Sequence, residues 1–447
     1  MSQISLFDGN TKFIINKPIR LIELFAGYGS QAFALKYLGV KFEHWKICEW
    51  AVKSIQAYKD AHFGQDNTDY SKGLTKEQLI EFLSNKGISA NYNEPMTYEQ
   101  VKRTSEDKLR QIYNNIMATH NLVNIQQVKG KDLEIAKDDY CYVMTYSFPC
   151  QDLSLAGLGK GMEKGSGTRS GMLWEVERIL DEIANANKQL PQVLLMENVP
   201  EVIGTNNIKH FAKWLEKLES LGYKCYWKVL NAKDYGVPQN RERCFMVSVL
   251  GDYYYEFLLP IELKLKWKDL LEEEKQIDEK YYLSDKMLEF FTENSKNNEL
   301  KGNGFRFKPI ERDNAEISKT ITTRSGSRMD DNFIIETKIN SKNKRLKDLI
   351  KKIDLTKDQY LDAYNQTANE ILCGTITTRI DKSNNYFVYT DYRIRKLTPK
   401  ECFRLMGVKD QDFEKIAQNQ SNASLYHLAG DSIVVDVLMN IFKNLIN

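Results

Sequence analysis

Apolar and polar positions change rhythm along this chain. Over roughly the first 250 residues, short apolar runs alternate with amphipathic stretches. Arg20-Leu21-Ile22-Glu23-Leu24-Phe25 reads as a buried strand, followed by a glycine turn and a helix through Leu38. A second strand ends near Ile47-Cys48, and the runs 142–146, 193–196 and 244–250 have the same character. Helical spacing falls between them, as at 173–186 and 208–221. Strand and helix in alternation predict an α/β fold: a doubly wound, mainly parallel sheet with helices on both faces. Ligands of such sheets bind beyond the carboxyl ends of the strands.

Residues 65–118 interrupt this rhythm. They are polar and helical in two pieces, 76–86 and 98–117, and predict an inserted element decorating the surface of a domain spanning 1–250. From 251 the chain becomes rich in lysine, asparagine and short strand-like runs, which predicts a smaller mixed domain over 251–390. Lys319-Thr320-Ile321-Thr322-Thr323-Arg324 precedes Phe333-Ile334-Ile335, and Gly374-Thr375-Ile376-Thr377-Thr378-Arg379 precedes Phe387-Val388. Each copy reads as a hairpin, with 341–370 helical between them. Helical patterns resume at 398–406 and 432–446 within a C-terminal segment, 391–447.

The 447 residues leave room for two or three domains, and 42% hydrophobic against 28% charged residues excludes disorder over the whole chain. No apolar run approaches the roughly 18 residues of a membrane helix, and Met1–Ser5 lacks a secretion-signal layout, so a cytoplasmic protein away from membranes is expected. Seven cysteines without close pairs argue for a reducing compartment. Five scattered histidines and no Cys-x-x-Cys give no metal-ligand spacing, so no metal is expected. The net charge of +2 hides an uneven distribution: 301–400 holds 21 Lys/Arg against 13 Asp/Glu.

Four motifs carry candidate chemistry. Phe25-Ala26-Gly27-Tyr28-Gly29-Ser30 joins a strand to a helix, and its glycines allow close approach to a ligand. Glu49, at the next strand end, can accept both hydroxyls of a ribose. Pro149-Cys150-Gln151 follows the third strand and precedes 155–171, with six glycines and Lys160, Lys164 and Arg169. A nucleophile that must be covered once its substrate arrives suits that setting better than a buried structural thiol does. Glu197 leaves an apolar strand at the same edge, as a helix cap or a proton donor. Arg241 and Arg243 alternate before the run 244–250, so they share one side of an extended segment.

In this order, these motifs resemble the DNA (cytosine-5) methyltransferase family. Phe25, Ala26, Gly27, Gly29 and Ser30 look like its S-adenosylmethionine loop, and Glu49-Trp50 like the pair holding ribose and adenine. Pro149-Cys150-Gln151 is similar to the nucleophile motif, Glu197-Asn198-Val199 to the cytosine-anchoring motif, and Gln239–Arg243 to the paired-arginine motif. Arg395–Gly407 resembles the motif after the recognition region, and Ala429–Val434, with Asp431 and Ser432, the segment that returns to complete the cofactor pocket. Two departures bear on cofactor affinity. Asp431 stands where the family usually has Asn, and Val123-Asn124-Ile125 stands in place of Gly-Asp-Ile, with Asp132 a further candidate.

The resemblance implies a class I, Rossmann-like methyltransferase domain with a target-recognition domain at 251–390. It implies S-adenosylmethionine as cofactor and double-stranded DNA as partner. Cys150 would add to C6 of a flipped cytosine, Glu197 would protonate N3, Arg243 would hold O2 and the carboxylate, and Arg241 would support the site. Pro149, Asn124 and Ile125 would border the cofactor. Gln151, Ser154, Lys160 and Arg169 in the closing loop, and Arg324, Arg328 and Arg379 in the recognition region, are the candidate DNA contacts. A monomeric enzyme of a restriction–modification system or a phage is expected, with room for a cognate endonuclease acting independently and for nucleoid association on DNA. tRNA cytosine-5 methylation, a catalytically inactive DNA-binding regulator and a nicotinamide-dependent oxidoreductase are the rival readings.

Overall fold

The computed structural model describes residues 11–149, 162–164, 169–337, 359–362, 367–369, 385–388 and 392–446. The chain forms two compact units. The first is Met1–Leu270 with Glu316–Ser325 and Pro399–Asn447; the second is Leu271–Ala315 with Gly326–Thr398.

The first unit is built on a six-stranded sheet: β1 (Ile19–Leu24), β2 (Phe42–Cys48), β3 (Cys141–Tyr146), β4 (Val193–Asn198), β5 (Tyr223–Asn231) and β6 (Glu242–Leu250), in the order β2-β1-β3-β4-β6-β5. β1 to β4 pair in parallel, while β6 runs antiparallel to both β4 and β5. β3 and β4 are buried on both faces, which accounts for their unbroken apolar runs. α6 (Leu173–Asn185) and α7 (Ile208–Ser220) cover one face: Leu173, Val176, Ile179, Leu180, Phe211, Trp214 and Leu218 share a core with Ile22, Leu24, Met144, Tyr146 and Met196. α1 (Ser30–Tyr37) packs instead with the C-terminal helix α12 (Val435–Ile446).

Residues 65–118 differ from the expectation of a surface ornament. α3 (Lys76–Lys86), α4 (Tyr98–Lys102) and α5 (Glu106–Ala118) bury Leu79, Leu83, Val101, Leu109, Ile112 and Ile116 with Val52 and Ile55 of α2 (Val52–His62). The element therefore extends the core, and its polar residues are only its outer face.

The first Thr-Ile-Thr-Thr-Arg segment is not a hairpin with Phe333–Ile335. Ser318–Lys319 pairs in parallel with Gln239–Asn240, whereas Phe333–Thr337 pairs with Tyr392–Lys396 in the second unit. Buried Gln239 dictates this by accepting from Ile321 N (3.0 Å) and donating to Leu405 O (2.6 Å). Where a helix was expected over 341–370, the described residues hold strands Gln359–Asp362 and Thr367–Asn369. The second repeat, with Arg379, lies outside the described residues. The second unit also contains α8 (Asp285–Leu300), whose Phe291 packs on Phe307 and Phe333.

Beneath the turn after β1, Glu23 is fully buried. Tyr58 Oη donates to it at 2.5 Å, and His44 Nδ1 lies 2.9 Å from the same hydroxyl. Burial pushes the Glu23 carboxyl up to about 7. The folded chain thus holds this proton more tightly than the unfolded chain, and stability falls as pH rises from the unfolded value of 4.5 toward 7. Glu23→Gln removes that loss. In thermal and urea unfolding, the difference between variant and wild type is expected to move in the variant's favour by roughly 2–3 kcal/mol between about pH 5 and about pH 8; a pH-independent difference would contradict it.

Candidate active site

Strand register fixes the site. Leu24 pairs with both Cys48 and Tyr146, and Tyr146 pairs with Met196, so Phe25, Glu49, Ser147 and Glu197 emerge side by side at the carboxyl ends of β1 to β4. β6 arrives antiparallel, with Phe245 opposite Glu197, which brings its first residues to the same edge. A cavity of about 220 Å³ opens there.

Glu197 is buried and doubly held. Ser147 Oγ donates to its Oε2 at 2.5 Å, and Arg243 Nε pairs with its Oε1 at 3.1 Å. Asn198 donates to Phe148 O at 2.9 Å, tying the ends of β4 and β3 together. Phe148 and Pro149 line the cavity immediately before Cys150; Cys150 itself, with Gln151, Ser154 and Lys160, lies outside the described residues.

Across the cavity, Glu49 accepts from Gly27 N (2.9 Å) and Ala51 N (2.8 Å). Its backbone is pinned by Asn121, which accepts from Glu49 N and donates to Glu49 O. Burial pushes the Glu49 carboxyl up to about 7 against those two hydrogen bonds. Gly27 has φ +57, and a Cβ there would point into open space. Asp431 opens onto the cavity, but surrounding protein strips its water and pushes its carboxyl up to about 6, with Arg241 pulling it back.

Phe25, Ala26, Ser30, Trp50, Asn124, Ile125 and Ser432 also line the cavity. Asp132 does not; its carboxylate caps the turn Gly130–Leu133 by accepting from Lys129 N. Arg241 is buried and donates to the carbonyls of Ile321 (3.0 Å), Gly430 (3.0 Å) and Ser432 (2.7 Å). Arg324 is exposed in the first unit and Arg328 in the second. Arg169 begins a short turn, and its side chain lies outside what is described.

Sequence reasoning passed over Ser147, Tyr92, Asn93 and His427, all of the first unit and, for the last three, all lining the same cavity as Ser147. Ser147 had a signal, as a lone hydroxyl one step past a buried strand. Tyr92 and Asn93 had only the turn-forming run Ser89-Ala90-Asn91-Tyr92-Asn93.

A row of carboxylates and an arginine at this sheet edge, with a returning C-terminal segment, agrees with the family model for C-5 cytosine-specific DNA methylase, which matches residues 82–447. The chain belongs to that family. The type II methyltransferase M2.ScrFI of Lactococcus lactis subsp. cremoris is 33% identical over 430 residues, covering 96% of this chain and 99% of the relative. The orphan methyltransferase M.SssI of Spiroplasma monobiae is 40% identical over 238 residues, 53% of this chain and 61% of the relative. Among solved structures, a Spodoptera frugiperda DNMT2 mutant superposes with a TM-score of 0.56 at 17% identity, over 95% of this chain and 99% of that one, which speaks to the fold. The family supports DNA cytosine-5 methylation; the tRNA and inactive-regulator readings are not favoured.

The Glu197–Arg243 pair of this methyltransferase is testable by itself. Arg243→Met leaves a buried carboxylate facing one hydroxyl and is expected to destabilise the protein by about 2–4 kcal/mol in urea unfolding. Adding Glu197→Gln should recover most of that loss. Additive losses in the double variant would mean that the two side chains are not energetically coupled.

Proposed function

We propose that this methyltransferase modifies C5 of a cytosine flipped out of a specific duplex sequence, through a transient bond between Cys150 and C6. Its carrying observation is Glu197, clamped by Ser147 and Arg243 on the cavity that Pro149, the neighbour of Cys150, also lines.

Cytosine C5 is a weak nucleophile. Addition of the Cys150 thiolate to C6 converts the ring to an enamine, which places electron density on C5. Glu197 passes a proton to N3 as the sulfur adds, and Arg243 keeps the carboxyl oriented and holds O2. Once C5 has gained a methyl group, loss of its proton to a base restores the C5–C6 double bond as the sulfur leaves, and the N3 proton returns to Glu197. C6 can be reached only from above the ring plane, so the base must leave the stack, which costs a few kcal/mol.

The cavity suits S-adenosylmethionine. Each Glu49 oxygen accepts one N–H and keeps a lone pair that could take a ribose hydroxyl, Trp50 and Ile125 offer apolar surface for a purine, and Gly27 leaves room for close approach. Asp431 adds a carboxylate to a site for a cationic ligand. When bound, S-adenosylmethionine supplies the methyl group. Phe25, Ala26, Ser30, Asn124, Pro149 and Ser432, which line the cavity, complete this assignment; Gly29 does not line it and instead shapes the turn into α1 at φ +83. Gln151, Ser154, Lys160, Arg169, Arg324, Arg328 and Arg379 are proposed to contact DNA, and the enzyme to act as a monomer, independently of any endonuclease partner.

Labelled S-adenosylmethionine and duplex DNA test the assignment, with Cys150→Ser as the control. Label is expected on C5 of cytosine and is expected to disappear in the variant. Label on adenine, or undiminished turnover by Cys150→Ser, would overturn it.

A further inference from the structure

The inserted element reaches the active site at one point. Ser89 forms a parallel bridge with Ala51: Ser89 N donates to Trp50 O (2.8 Å) and Val52 N donates to Ser89 O (2.9 Å). The turn that follows is therefore anchored to the segment carrying Glu49 and Trp50. Within it, Ser89 Oγ donates to Glu94 O (2.7 Å) and accepts from Tyr92 N (3.1 Å). Asn91 Oδ1 accepts from Asn93 N (3.0 Å) and Glu94 N (3.2 Å). These bonds hold Tyr92 at φ +66, a left-handed conformation that a bulky residue rarely adopts. Strain of that kind survives only where surrounding bonds over-determine it, and it concentrates at functional sites.

The strained residue presents its ring to the cavity. Tyr92 stacks on His427 with centroids 3.7 Å apart and planes 27° apart. His427 belongs to α11 (Asn422–Gly430), one turn before Asp431, and both rings line the cavity together with Trp50. The Tyr92 hydroxyl is buried toward Ser424, on the same helix, and Ser54. The insertion and the C-terminal segment, more than 300 residues apart, thus meet ring on ring at the cavity wall.

We propose that the Tyr92–His427 stack is a clasp over the purine end of the cofactor, and that Tyr92 is a cofactor-positioning residue contributed by the insertion. The proposal rests on the S-adenosylmethionine reading of the cavity. The turn is anchored at Trp50 O and Val52 N, so the clasp sits on the side where that reading puts the flat heterocycle, away from Glu197 and the reacting base. It should therefore govern how long the cofactor stays, and leave the chemical step alone.

Calorimetric titration of the full chain with S-adenosylmethionine and, separately, S-adenosylhomocysteine tests this, alongside KM and kcat with duplex DNA. Tyr92→Ala is expected to weaken both ligands equally, by about tenfold or more, because they share the purine. KM for cofactor should rise in step while kcat at saturation stays within about twofold. Tyr92→Phe, which keeps the stack, should bind like wild type. His427→Ala should reproduce the loss, and the double variant should be no worse than either single one, as for two halves of one clasp. His427→Ala also stands in should Tyr92→Ala fail to fold. Wild-type binding with both single variants within about twofold of it would overturn the clasp and leave the cofactor reading intact. Wild type that binds neither ligand would overturn the cofactor reading and the clasp with it. A fall in kcat at unchanged affinity would also overturn the clasp.

Discussion

The guanidinium of Arg241 holds the first unit's distant segments together. It sits buried at the start of β6 and donates to carbonyls of the 316–325 segment and of the turn after α11. Those carbonyls come from chain positions 80 to 191 residues away. A charged, five-donor fork can bridge several backbone segments at once in a way that lysine cannot. The approach is tight: a Cβ on Gly430 would lie 2.2 Å from the Thr322 backbone. This junction holds the turn carrying Asp431 against a cavity whose other walls include the ends of β1 to β4, Tyr92 and Asn93 of the insertion, and Arg243.

Charge at the cavity follows from that closure. Glu49 and Asp431 are brought to one site and stripped of water, so both carboxyls are pushed up, to about 7 and about 6. Their mutual repulsion adds to the shift of Glu49. A cationic ligand would favour the charged form of both carboxyls, whereas a neutral one would not. Glu197, at the same edge, is held in place by Arg243 and Ser147. The cavity at this sheet edge thus holds two crowded carboxylates and a third clamped in an ion pair.

Much of this was legible in the sequence because it depends on local pattern. β1, β3, β4 and β6 are apolar runs, and sheet register carries the carboxyl ends of the first three and the amino end of the antiparallel β6 to one edge. β5 was missed because it lies at the sheet's edge and mixes lysines with aromatics, Tyr223-Lys224-Cys225-Tyr226-Trp227-Lys228, of which only Tyr223 is fully buried. The hairpin read into Lys319–Ile335 failed for a different reason. Its first strand answers to Gln239, 80 residues earlier, and no local spacing encodes that partner. The insertion looked like decoration because its polar face dominates its composition, while its few buried apolar residues recur only at helical spacing. Tyr92 and His427 were invisible because each is an ordinary residue until tertiary contact pairs them.

Hydrogen exchange of the wild type and Arg241→Ala tests most directly whether one arginine assembles the site. The amides of 320–325 and 429–434 are expected to exchange at least about tenfold faster in the variant, while those of β3 and β4 keep their protection. Unchanged exchange in both segments would show that they are held by other contacts, and that Arg241 is not the constraint on which the cavity depends.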